Sequence, residues 1–180
     1  AEIILGETEP TGRLPITFPR HVGQLPVYYN QIRGQHGNRY ADLTQDPAFA
    51  FGEGLAYTTF AYSDLHITNG GENASFGIND TVHAEVTLTN TGKRAGTEIV
   101  QLYISDVVTS YTWAERELKA FQRVSLEPGE SAVVAFDLPV ADCTIVDADA
   151  QRIVEPGEFK LLVGHSSRLE NLQQVSFTVA

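Results

Sequence analysis

The residues whose types and spacing suggest chemistry fall into a few small groups. Glu53 stands between Gly52 and Gly54, where bare backbone allows close approach, and this makes it a candidate acid. The plainer reading is a side chain facing solvent or a neighbouring domain. Asp142, Asp147 and Asp149 lie close together, and an Asp-x-Asp pair is a familiar calcium ligand. Ala150-Gln151 does not continue a calcium loop, so the cluster reads better as a solvated turn. His21, His36, His66, His83 and His165 contain no close pair at ligand spacing, and neither a metal nor any other cofactor is expected. Cys143 is the single cysteine; with no histidine nearby in sequence it reads as a small buried residue rather than a reactive thiol.

The loop Asp106 to Glu115 carries the only tryptophan. Sugar rings bury their C–H faces against aromatic rings, so Tyr111 and Trp113 are candidate contacts to a glycan or to a catalytic cleft. The alternative is a pair of aromatics pinned against an adjacent domain, a common place for amphipathic rings. Asn73-Ala74-Ser75 and Asn79-Asp80-Thr81 match the N-glycosylation acceptor pattern, which matters only on a eukaryotic secretory route.

Composition narrows the partners. Twelve Lys and Arg against 23 Asp and Glu leave a formal charge of -11, which repels phosphate backbones and anionic lipid. Neither nucleic acid nor a membrane surface is expected. A hydrophobic content of 42% suits a folded chain, no apolar run approaches a membrane span, and the first residues lack the basic and apolar regions expected of a signal peptide. One cysteine excludes an intrachain disulfide framework.

The elements that must position these residues change character at Phe49 to Phe60. Before it, Ala1-Glu2-Ile3-Ile4-Leu5-Gly6 reads as the last turn of a helix with its terminal glycine, as if the helix began in a longer protein. Leu14, Ile16 and Phe18 alternate with Arg13, Pro15 and Thr17, a strand period that two prolines confine to a sheet edge. Arg20 to Asp46 is irregular, and such a stretch is expected to pack on a neighbour. After the junction, strands are expected at Phe60 to Ile67 with a bulge, Val82 to Leu88, Ile99 to Ile104, Leu118 to Leu126, Ala132 to Leu138, Phe159 to Val163 and Val175 to Val179. Thr144-Ile145-Val146 and Arg152-Ile153-Val154 add short ones. Turn signals separate them, as in Asn69-Gly70-Gly71, Asn90-Thr91-Gly92 and Glu127-Pro128-Gly129-Glu130. The fold class is therefore mainly β, an antiparallel sandwich of the immunoglobulin or fibronectin type III kind from Phe60 onward, preceded by an irregular strap.

Three runs in the first sixty residues resemble the C-terminal region of glycoside hydrolase family 3: Gly12-Arg13-Leu14-Pro15-Ile16-Thr17-Phe18-Pro19-Arg20, Val22-Gly23-Gln24-Leu25-Pro26-Val27-Tyr28-Tyr29-Asn30 and Phe51-Gly52-Glu53-Gly54-Leu55-Ala56-Tyr57-Thr58-Thr59-Phe60. Val86 to Gly96, Glu117 to Phe121 and Glu155 to Phe159 agree in order and spacing. Members are β-glucosidases, β-xylosidases and related exo-acting hydrolases. The resemblance implies that 1–19 ends an α/β sandwich domain, 20–59 is an interdomain strap and 60–180 is a fibronectin type III-like domain. Glu53 sits where the family usually has an aromatic residue.

Retaining glycosidases use two carboxyl groups about 5–5.5 Å apart. The resemblance places the aspartate nucleophile on a barrel domain and the glutamate acid/base upstream of the Gly-Arg-Leu-Pro run, so no catalytic residue is expected in this chain. Alone it is expected to be inactive, bracing the catalytic domains of a parent enzyme that acts on β-linked oligosaccharides or glycosides. Interdomain packing is assigned to Phe18, Tyr28, Tyr29, Phe49, Phe51, Tyr57 and Phe60, at roughly 1.5–3 kcal/mol for each fully buried large side chain. Exposed in the isolated chain, these would favour self-association. The family is often periplasmic or secreted, and that location is favoured over the cytoplasm.

Overall fold

The computed structural model describes residues 1–32, 44–71 and 74–180. His36, Asn73 and the pair Arg39-Tyr40, expected from the sequence to help pack the irregular stretch on its neighbour, lie outside the described residues. The alternating segments after the junction become strands β1 (Phe60–Ile67), β2 (Ser75–Phe76), β3 (Thr81–Asn90), β4 (Gly96–Asp106), β5 (Glu117–Leu126), β6 (Ser131–Pro139), β7 (Ile145–Val146), β8 (Arg152–Ile153), β9 (Gly157–Gly164) and β10 (Leu172–Val179). One sheet runs β1-β3-β6 and the other β2-β10-β9-β4-β5, while β7 and β8 form a separate hairpin. All pairings are antiparallel except that of β2 with β10.

The core lies between the two sheets because their alternating apolar residues face each other. Val82, Ala84, Val86 and Leu88 of β3 and Val134, Phe136 and Leu138 of β6 meet Val100, Leu102 and Ile104 of β4 and Phe159, Leu161 and Val163 of β9. Phe177 of β10 stacks on Phe159 and meets Phe76 of β2 edge to face. β1 carries the expected bulge, between Ser63 and His66, with Asp64 at φ 56°. β2 answers to no expected strand: two residues are too few to show a period.

The first segment departs from its expected form. A short helix, α1 (Glu2–Leu5), does end at Gly6 in the left-handed conformation, φ 75°. Arg13 to Phe18, however, forms no strand. Its ladder is reduced to one bridge, Phe18 to Phe49, and an exchange in which Leu14 N–H donates to Glu53 O and Gly52 N–H to Leu14 O, both at 2.8 Å. Pro15 and Pro19 lack the amide donors that would extend it. Further on, Val22–Gln24 makes a single 3-10 turn, whose Gln24 side chain accepts from Arg20 N–H at 2.6 Å and donates to Thr44 O at 2.8 Å. No described helix is long and apolar enough to cross a membrane.

Candidate functional site

An alternating strand in a sandwich normally shows water its second face, yet β4 is buried on both. The irregular segment is the cause. It crosses the outer face of β4, where Phe51 stacks on Tyr29 with centroids 4.1 Å apart and Tyr29 meets fully buried Tyr103 edge to face at 6.0 Å. Beside them, Gln101 donates to Gly52 O at 3.1 Å and His165 O at 2.6 Å, and its Oε1 accepts from Tyr103 Oη at 2.6 Å. Gly52 has φ 82°, and a Cβ there would lie 2.1 Å from the Gln101 Oε1, so only glycine fits this crossing.

Two ion pairs fasten the strap. Arg13 Nη2 lies 2.7 Å from Glu98 Oε1 with both side chains nearly buried. Arg168, on the loop between β9 and β10, donates through Nε to Glu53 and through Nη2 to Pro47 O and Ala48 O at 3.3 and 3.4 Å. The other oxygen of Glu53 accepts from Ala50 N–H at 2.8 Å. The bond with Glu53 raises the Arg168 guanidinium further above its ordinary range. Glu53 thus faces this chain's own loop, and the solvent- or neighbour-facing expectation gives way. A carboxylate wedged between glycines is free to fold inward once a guanidinium is there to receive it.

At the other end of the strap, Thr58 and Asn90 lock the entry to β1. Asn90 is fully buried; its Oδ1 accepts from Thr58 Oγ1 at 2.6 Å and Gly92 N–H at 3.0 Å, and its Nδ2 donates to Arg94 O and Leu126 O. Every polar atom of that side chain is used. Arg94 also lies over the Tyr57 ring, 5.1 Å from its centroid.

The other candidates disperse. Asp147 accepts from the amides of Asp149 and Gln151 at 2.9 and 2.8 Å, organising the tip of the β7–β8 hairpin. No group of three His, Cys, Asp or Glu fit for a metal occurs among the described residues. His83 is an exposed strand residue paired with Asp137 at 2.6 Å. Cys143 is buried in the core cluster, and burial pushes its thiol up to about 12. Tyr111 is exposed, whereas Trp113 is half-buried and donates its indole N–H to Glu117 at 3.2 Å. Of the packing aromatics, Phe18, Tyr28, Phe49 and Tyr57 stay exposed, while Tyr29, Phe51 and Phe60 pack inside this chain. Sequence reasoning missed Arg13, Arg168, Gln101 and Asn90 as fasteners; only Asn90, in its Asn-Thr-Gly turn, carried a local signal.

Residues 1–57 match the Glycosyl hydrolase family 3 C-terminal domain, and residues 98–167 match the Fibronectin type III-like domain. The chain belongs to glycoside hydrolase family 3, in its C-terminal region. A β-glucosidase involved in saponin metabolism from intestinal bacteria is 75% identical, with a TM-score of 0.95 over 100% of this chain and 24% of its own. A β-xylosidase of Formosa agariphila is 40% identical over 99% of this chain and 25% of its own length. A periplasmic β-glucosidase of Salmonella typhimurium is 34% identical over 93% of this chain and 23% of its own. The chain therefore spans about a quarter of the length of these relatives.

Proposed function

We propose that this chain is the C-terminal part of a retaining, exo-acting β-glycosidase of the β-glucosidase or β-xylosidase kind, and that its role there is structural. The observation that carries the reading is collinear similarity, at 75% identity and a TM-score of 0.95, to one quarter of a β-glucosidase. The physical arrangement supports it. The strap is clamped to the sandwich by Arg13, Arg168 and Gln101, while Phe18, Tyr28, Phe49 and Tyr57 remain exposed for contact with the catalytic domains. In this reading 1–19 completes an α/β sandwich domain, 20–59 is the strap and 60–180 the bracing domain. The nucleophilic aspartate and the acid/base glutamate lie on the preceding domains, and Glu53 is committed to Arg168. The substrate is a β-linked glucoside or xyloside, a uncharged partner suited to an acidic protein.

Truncation of the longer enzyme tests the reading. Removing 60–180 is expected to abolish soluble activity on aryl β-glucosides and aryl β-xylosides; full activity after removal would overturn the bracing role.

A second reading, carbohydrate binding through Tyr111 and Trp113, draws on the cavity of about 340 Å³ that Thr109 to Ala114 enclose with Asp106. Quenching of Trp113 fluorescence by cello- or xylo-oligosaccharides would support it, and a flat titration would remove it.

A further inference from the structure

A cleft of about 240 Å³ opens between Thr17, the strap, the residues just before β5 and the loop from β9 to β10. Val27, Pro47 and Ala50 give it an apolar wall. Two of its polar side chains are more than nine-tenths buried, Thr17 at 8% exposure and Arg116 at 7%. The Thr17 hydroxyl has no hydrogen-bond partner among the described residues, and a buried hydroxyl left so is costly unless a guest or a water takes it. Arg116 donates through Nε to Ser167 O at 2.8 Å and through Nη1 to Glu115 at 2.7 Å, while its Nη2 has no partner among the described residues. The rim carries acceptors, the exposed carboxylates of Asp46 and Glu170. The frame is set before any guest arrives: Ser167 N–H donates to Phe51 O at 3.0 Å and Glu115 N–H to Gln31 O at 2.8 Å, which ties both loops to the strap.

We propose that this cleft binds one neutral polyhydroxyl molecule about the size of a single pyranose, with Thr17 and Arg116 as its buried polar contacts. Charge selects a neutral guest, because an anion would meet the carboxylates of Asp46, Glu115 and Glu170 and a cation would meet the buried guanidinium of Arg116. Volume selects a small one, since 240 Å³ lies below the roughly 300–1,000 Å³ of pockets that take drug-sized ligands. Hydroxyl groups match the polar lining: each can accept from Arg116 or Thr17 and donate to a carboxylate at the rim, while ring C–H groups rest on Val27, Pro47 and Ala50. The cleft shares no lining residue with the cavity of Thr109 to Ala114. A guest here would bridge three separate segments of the chain, a role beyond the bracing proposed above.

Calorimetric titration of the 180-residue chain with D-glucose and with D-xylose tests it. Saturable one-to-one binding of at least one sugar is expected, with a Kd on the order of 1 mM, as the usual binding efficiency gives for about a dozen non-hydrogen atoms. Thr17→Val keeps the shape and loses no hydrogen bond within the chain, so the thermal midpoint should stay while the sugar binds about three- to tenfold more weakly. Arg116→Gln should weaken it more than about tenfold, as the loss of a bond from a charged donor does. Heat that grows without saturating up to about a hundred times that Kd would leave the cleft to water and overturn the proposal. Undiminished binding in Thr17→Val or in Arg116→Gln would also overturn it by placing the sugar elsewhere on the chain. Saturable binding of inorganic phosphate, with binding of neither sugar, would overturn it in favour of an anion.

Discussion

Breaking the contact between Arg168 and Glu53 tests how the strap is held. Their side chains are 20% and 19% exposed, too sheltered for bulk solvent to screen the pair fully. Glu53→Gln keeps the shape and removes the charge; Arg168→Ala also releases Pro47 O and Ala48 O. A partly buried, hydrogen-bonded charge pair is expected to give a coupling energy of about 1–2 kcal/mol in a double-mutant cycle. Arg168→Ala alone should cost about 2–3 kcal/mol, with the orphaned carboxylate and two carbonyls included. At about 2–4 °C per kcal/mol for a chain of this size, the midpoint should fall by roughly 4–12 °C. Arg168→Lys should fall between, because an ammonium keeps the charge but not the fork that reaches Glu53 and the carbonyls together. Urea unfolding of the four proteins of the cycle supplies the numbers. A coupling below about 0.3 kcal/mol would mean that the strap is held without this pair and would refute the reasoning.

Other substitutions probe the same joints. Asn90→Ala should destabilise by about 3–5 kcal/mol in urea melts, since it strands Thr58, Gly92 and two carbonyls together. Gly92→Ala places a Cβ 2.0 Å from Thr58 Oγ1 and 2.9 Å from Thr59 N, and should lower the thermal midpoint measurably even though the substituted residue adds only one methyl group. Cys143, at about 12 in the folded chain against 9.0 as its reference, keeps its proton while the unfolded chain loses its own. Its contribution is complete below the reference value, so stability should decline between pH 9 and 12; Cys143→Ala should flatten that part of the profile, and the thiol should resist an aromatic disulfide reagent until the chain unfolds.

The sandwich was legible because its strands alternate: Val82 to Leu88 and Ala132 to Leu138 each place one face in the core and leave the other polar. The same rule is blind to β4, whose Gln101 and Tyr103 are buried on the outer face by Tyr29, Phe51 and Gly52 of the strap, far earlier in sequence. Leu14 to Phe18 shows the reverse error. Its alternation is real, but Pro15 and Pro19 leave too few donors for more than a bridge. Glu53 illustrates why the site itself was harder to read. Its neighbours in sequence are two glycines, and its partner, Arg168, is 115 residues away with no local motif to mark it. Long-range ion pairs of this kind leave no period and no spacing.

The central claim is that this chain supports catalysis without performing it. Hydrolysis of aryl β-glucoside and aryl β-xyloside should be measured with the 180-residue chain alone and after mixing it with the preceding part of the enzyme. The account predicts no turnover by the chain alone and activity in the mixture, with the faster substrate naming the sugar. Turnover by the chain alone would contradict it, and would return attention to Glu53 and to Asp142, Asp147 and Asp149.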